Sequence, residues 1–112
     1  MAKYEATLSG SFEEILQTID VEILEGISAS FEDGSDYDRG QIRCAVRVYE
    51  RYSMVGANRV SLNITLIEDG EDVFLSAIAS GGSQAAFWKV NTLGEESFLD
   101  RLVRAVAPFA SR

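Results

Sequence analysis

Histidine is absent from this chain of 112 residues, and cysteine occurs once, as Cys44. Histidine is the commonest general base near neutral pH and the commonest metal ligand in proteins, so its absence lowers the odds of an enzyme without excluding one. A single cysteine permits no intrachain disulfide and no cluster of thiol ligands. The sequence therefore predicts neither a metal site nor another cofactor.

Long apolar runs and a positive charge balance are also missing. No apolar stretch approaches the roughly 20 residues that span a bilayer, and the N-terminal residues lack the apolar run of a signal peptide. The formal net charge is −8, from 10 basic and 18 acidic residues. Because such a surface repels phosphate groups, neither nucleic acid nor a membrane is an expected partner. The expected location is the cytoplasm.

Hydrophobic periodicity predicts a single α+β domain over residues 1–112. Capping boxes and helical spacing predict one amphipathic helix over about 11–25 and another from Thr92 to a stop at Pro108. Alternating apolar and polar residues predict the strands, at 3–8, 27–32, 42–52, 59–66 and 73–80, with a short additional one at 87–90. Acidic residues with glycine predict turns at 33–36 and 68–71.

The resulting order is β-α-β-β-β-β-(β)-α. Short connections between consecutive strands imply a mostly antiparallel sheet of five or six strands. The two amphipathic helices are expected on one face of that sheet, which leaves the other face partly open.

The clearest predicted strand, 42–52, carries two different faces. Its expected core-facing set is apolar and comprises Ile42, Cys44, Val46 and Val48, so Cys44 is expected to be a buried, inert thiol. The opposite, open set carries Arg43, Arg47, Tyr49 and Arg51, and the next strand is expected to add Arg59 and Asn63 to it. Arginine suits forked contacts with carboxylate or phosphate. The pattern predicts a face that binds an anion or a partner, and the alternative is a solvated face with cross-strand ion pairs.

A second candidate site is the glycine-serine segment after the 73–80 strand. Paired glycines can turn successive backbone amides toward an anion, but the segment lacks the Gly-Lys-Ser/Thr ending of a phosphate-binding P-loop. The alternative is a flexible hairpin loop. Its residues are Ser80, Gly81, Gly82, Ser83 and Gln84.

Several segments together resemble a family of short uncharacterised proteins from Gram-positive bacteria. The resemblance spans nearly the whole chain and lies in residues 3–5, 43–54, 58–65, 80–84 and 94–100. That family is known as a domain of unknown function, so the resemblance implies no catalytic residue. It does imply a bacterial, stand-alone protein.

Three functions remain open at this level. The first is a non-catalytic binding module that contacts a small anionic ligand or a protein partner through the arginine-tyrosine face and the Gly-Gly-Ser-Gln loop. Exposed sheet faces and edges also favour self-association, so a homodimer is expected as well. The second is a pocket protein whose curved sheet grips the C-terminal helix around a cavity lined by Phe74, Ile78, Phe87 and Trp88. The third is an enzyme that uses Tyr49, an arginine and a carboxylate.

Overall fold

The computed structural model describes residues 2–26, 29–53, 58–81 and 98–110. Within these residues the chain forms five strands and two α-helices, with a π-helical turn after the first helix and a 3₁₀ helix, Ala107–Phe109, after the second. The elements in chain order are β1 (Ala2–Ser9), α1 (Phe12–Val21), β2 (Ser30–Arg39), β3 (Ile42–Ser53), β4 (Asn58–Asp69), β5 (Asp72–Gly81) and α2 (98–106).

The five strands form one antiparallel sheet in the order β1-β5-β4-β3-β2. Strands β2 to β5 follow one another as a meander, and β1 pairs with β5, so β1 and β2 are the outermost of the described strands. The hairpins turn at residues 40–41 and 70–71, where Gly40 and Gly70 have φ angles of 63° and 66°. Glycine adopts this left-handed backbone without the steric cost of a Cβ atom.

Helix α1 begins as its capping box predicts. The Ser11 hydroxyl accepts a hydrogen bond from the Glu14 amide at 3.2 Å, and Phe12, Ile15 and Ile19 are buried on one side of the helix. A π-helical turn, Glu22–Gly26, continues the helix and keeps Ile23 fully buried. Each such side chain contributes roughly 1.5–3 kcal/mol when it is removed from water.

The core lies between the helices and one face of the sheet, which is called the inner face below. Strands β4 and β5 contribute alternate residues to it, and α2 contributes residues at helical spacing. The buried residues from these elements are Val60, Leu62, Ile64, Leu66, Val73, Leu75, Ala77, Ala79, Phe98, Leu99, Leu102 and Val106. The predicted α+β class, with an antiparallel sheet and both helices on one face, is confirmed. The predicted strand at 87–90 and the capping box at Thr92 lie outside the described residues.

The turn predicted at residues 33–36 is wrong. Strand β2 runs through this segment to Arg39, with a register shift between Phe31 and Asp33. The Asp33 carboxylate accepts a hydrogen bond from the Gly34 amide at 2.8 Å. A local contact of this kind is common in turns, but here the neighbouring strand β3 keeps the segment extended.

The assignment of faces on β3 is also wrong, including the expectation that Cys44 is buried. Pairing with β4 places Tyr49 opposite Leu62 and Ala45 opposite Leu66. Ala45 and Tyr49 are therefore fully buried on the inner face, and Cys44 is partly exposed on the opposite face. Both residue sets of β3 contain apolar side chains, and the inner set is the one that carries the arginines.

Candidate functional site

Arg43 joins the start of α1 to the edge strand β2. Its guanidinium lies 4.4 Å from the centre of the Phe12 ring and donates a hydrogen bond to Glu13. Its Nε atom is also 3.9 Å from an Asp38 carboxylate oxygen. The hydrogen bond to Glu13 raises the pKa of Arg43 above its already high value, so this cation remains charged. Stacking on the ring adds a cation–π attraction to the two ion pairs.

Arg47 lies flat across the edge strand. Its side chain is only 17% exposed, and Nη2 is 2.9 Å from an Asp36 carboxylate oxygen. Its Nη1 donates to the Val46 carbonyl at 2.9 Å. Gly34 permits this path, because a Cβ atom there would be 3.1 Å from both Cδ and Nη1 of Arg47. The glycine that resembled a turn residue therefore makes room for an arginine.

Tyr49 is the largest fully buried side chain beside these arginines. Its hydroxyl donates a hydrogen bond to Asp20 of α1 at 2.9 Å, and its ring meets Phe31 edge-on with centroids 6.1 Å apart. Burial, followed by the hydrogen bond to Asp20, raises the pKa of Tyr49 well above its ordinary value. The phenol therefore stays protonated and connects the helix to the sheet.

We call Arg43, Arg47 and Tyr49 with their partners the Arg–Tyr cluster. Beside it is a cleft of about 290 Å³, which is lined by Glu13, Leu16, Gln17, Asp20 and Arg47. The two guanidiniums are matched by the carboxylates of Glu13, Asp36 and Asp38, and Asp20 accepts from Tyr49. Because the cations are already neutralised, this arrangement favours cross-linking of α1, β2 and β3 over the binding of an added anion.

The opposite face of the sheet, called the outer face below, carries the second cluster of interest. Strand pairing aligns Tyr37, Cys44, Ile67 and Phe74 in one row across β2, β3, β4 and β5. Tyr37 is 55% exposed and Phe74 is 36% exposed. The row is extended by further apolar residues of the same face, namely Ile42, Val46, Val48 and Ile78.

The structure separates the predicted site residues into two groups. Arg43, Arg47, Tyr49 and Arg51 lie on the inner face of β3, and Arg59, Asn63 and Ser80 lie on the outer face. The prediction that they share one open surface is therefore wrong. The register of β3 on β4 sets this division, because paired residues point to the same side.

The outer group makes its own local contacts. Arg59 is 3.1 Å from a Glu50 carboxylate oxygen, and the hydroxyls of Ser61 and Ser80 are 2.9 Å apart. The Asn63 amide donates to the Ile78 carbonyl at 3.5 Å. Gly81 ends β5, and Gly82, Ser83 and Gln84 lie outside the described residues.

The predicted cavity lining is wrong as well. Phe74 and Ile78 are on the outer face and cannot line a cavity between the sheet and the helices. Phe87 and Trp88 lie outside the described residues. The sequence indicates contact on both faces of β5, because Phe74 and Ile78 alternate with its core residues, but it does not predict that the outer apolar row continues across β4, β3 and β2.

Within the described part of the chain, no group of three or more histidine, cysteine or acidic side chains comes together in a way that could hold a metal ion. Among the same residues, no helix is long and apolar enough to cross a membrane.

The fold and its two clusters define a two-layer α+β protein, with one sheet face closed by helices and the other face partly apolar. The chain belongs to a family of unknown function (DUF6054), whose model matches residues 1–110. No curated protein and no solved structure matches it.

Proposed function

We propose that this protein is a non-catalytic interaction module whose contact surface is the outer face of the sheet. The observation that carries the proposal is the row formed by Tyr37, Cys44, Ile67 and Phe74, which crosses four of the five strands on the side opposite the helices. The partner in this proposal is a protein, since a row across four strands extends roughly 14 Å at the usual strand spacing, more than a small anion covers.

The composition of the outer face supports this proposal. An antiparallel sheet with one face in water usually places polar residues on that face. Here apolar side chains cross four strands and are most frequent on β3, small polar residues of β4 and β5 lie beside them, and charged residues lie along the border of the face. The surrounding charges come from Lys3, Glu5, Asp33, Arg39, Asp69 and Asp72. Apolar residues mixed with small polar ones, inside a charged rim, are common in protein–protein interfaces.

The Arg–Tyr cluster has a supporting role in this proposal. It fixes the edge strand β2 to β3 and α1, and this contact keeps Tyr37 in line with the rest of the apolar row. We further propose a Gram-positive bacterial origin and a cytoplasmic location. The acidic balance of 18 acidic to 10 basic residues supports a partner other than nucleic acid.

Site-specific photo-crosslinking in the native cells tests the proposed surface. A photoreactive residue at position 67 or 46 on the outer face should give an adduct of one discrete mass. The same residue at position 14, on the exposed side of α1, is the matched control and should give none. Equal labelling at positions 67 and 14, or no adduct at either outer position, would contradict the proposal.

A further inference from the structure

We infer that the partner of the outer face is a second copy of this chain, related to the first by a twofold axis that runs along β4. This inference rests on the proposed function, since it names the partner for the same surface. Strand β4 is the middle strand of the five. A twofold axis along it therefore places β1 of one copy over β2 of the other, and β5 over β3.

Charge complementarity at the edges supports this axis. Pairing across the sheet puts Lys3, Ile78, Asn63, Val48 and Asp33 in one row. A twofold rotation about β4 brings Lys3 of each copy opposite Asp33 of the other, which gives two ion pairs per dimer. Sheets that pack face to face are about 10 Å apart, a distance that a lysine and an aspartate side chain can bridge together.

Apolar residues meet one another in the middle of the same arrangement. Ile67 lies on the axis and faces its own copy, Phe74 faces Cys44, and Ile78 faces Val48. The other in-plane axis, perpendicular to the strands, would instead bring Glu5 near Glu5 of the second copy and Ile67 near Asn63. The axis along β4 also places Asn63, Arg59 and Asp69 opposite their own copies, at polar positions of β4. The two Lys3–Asp33 ion pairs, which the perpendicular axis does not form, are the observation that favours the axis along β4.

The size of the face is adequate for a dimer of modest affinity. Five strands about 4.8 Å apart and about nine residues in length cover roughly 500 Å² in projection. The accessible surface that each copy buries exceeds this projected area, because the side chains of the two sheets interdigitate. The surface buried by each copy is therefore somewhat less than the roughly 800 Å² per partner that stable complexes bury. For this reason the dimer should dissociate on dilution.

The first test measures the subunit count of the full chain by sedimentation and native mass spectrometry over a range of concentrations. The inference predicts a reversible dimer that Ile67→Asp weakens at least tenfold. Val21→Asp, at an exposed apolar residue of α1, is the matched control and should leave the dimer unchanged. Val21 is exposed and Ile67 is partly exposed on the outer face, outside the core, so each variant should fold.

The second test is a charge swap measured by mixing. Lys3→Glu puts two acids opposite each other in both edge contacts of its homodimer, and Asp33→Lys puts two bases there. Each variant alone should dimerise several-fold more weakly at low ionic strength, where charges are least screened. In the mixed dimer one contact is native and the other is reversed in sign, so the heterodimer should form in preference to either homodimer.

Each alternative outcome overturns a defined part of the inference. A monomer at every concentration contradicts the second copy as partner, and a dimer that tolerates Ile67→Asp contradicts the surface. A dimer that Ile67→Asp disrupts, without preferential heterodimers on mixing, contradicts the axis. If the chain is monomeric while position 67 crosslinks to a different protein, the inference fails and the proposed function stands.

Discussion

Replacing Ala45 with aspartate should lower the free energy of unfolding by about 4 kcal/mol or more, because it buries an unpaired carboxylate. Ala45 is fully buried opposite Leu66 on the inner face. The same replacement at the adjacent residue, Cys44→Asp, should cost about 1 kcal/mol or less, since that side chain points to the outer face.

Urea denaturation of the two variants and of the wild type provides the comparison. Protein should be dilute enough to be monomeric, so that loss of the proposed dimer does not enter the free energy. The two variants share one added charge and one strand, so their difference reports only which face is covered. A Cys44→Asp variant that unfolds as readily as Ala45→Asp would mean that the faces of β3 are reversed.

Replacing Tyr49 with alanine should lower the free energy of unfolding by about 4 kcal/mol, the usual effect of emptying the space of a buried aromatic ring. Tyr49→Phe removes only the hydrogen bond to Asp20 and should cost about 1 kcal/mol. Tyr37→Ala, at a residue that is 55% exposed on the outer face, is the control and should change the free energy of unfolding by about 0.5 kcal/mol.

Alkaline pH gives a second measure of Tyr49. Its pKa is raised in the folded protein by burial and by the hydrogen bond to Asp20, so the unfolded chain releases this proton at lower pH. The contribution of Tyr49 to the free energy of unfolding is complete below about pH 10, which is the ordinary pKa of tyrosine. This contribution is lost as the pH rises further. Wild-type protein should therefore lose stability above this pH more steeply than Tyr49→Phe, and parallel curves would contradict the buried phenol.

The sequence predicted correctly those helices, turns and strands whose residue pattern allows only one interpretation. Ser11 and Glu14 marked the start of α1, and Gly70 marked the β4–β5 turn. The core-facing residues of β4, from Val60 to Leu66, follow directly from strict alternation with polar neighbours. These features are local, so a short stretch of chain contains all the information that they need.

The faces of β3 could not be predicted in this way, because period two divides a strand into two sets without saying which set is buried. Val46 and Val48 suggested a core, and Arg47 suggested solvent. The opposite arrangement forms because Arg43 and Arg47 extend from the inner face to its border, where carboxylates of α1 and β2 meet them. Such contacts join residues distant in sequence and are not visible in one strand.

The arginine-tyrosine binding face was predicted wrongly for the same reason. Arg47 and Arg59 are basic residues on neighbouring strands, but the β3–β4 register sends them to opposite faces. Asp33 and Gly34 resembled a turn, and their actual surroundings depend on Arg47, which comes from the next strand. Because the faces of β3 were assigned wrongly, the Arg–Tyr cluster was predicted to be a binding surface. For the same reason the apolar row on the outer face was not predicted.

The reactivity of the single thiol, Cys44, tests whether the outer face of the sheet is the contact surface. Cys44 lies in the apolar row of the outer face, opposite Phe74 of the second copy in the proposed dimer. A thiol reagent should therefore label dilute, native protein without denaturant, and should label it more slowly as the protein concentration rises. A thiol that reacts only when the protein unfolds, at every concentration, would contradict the exposed outer face and the dimer proposed on it.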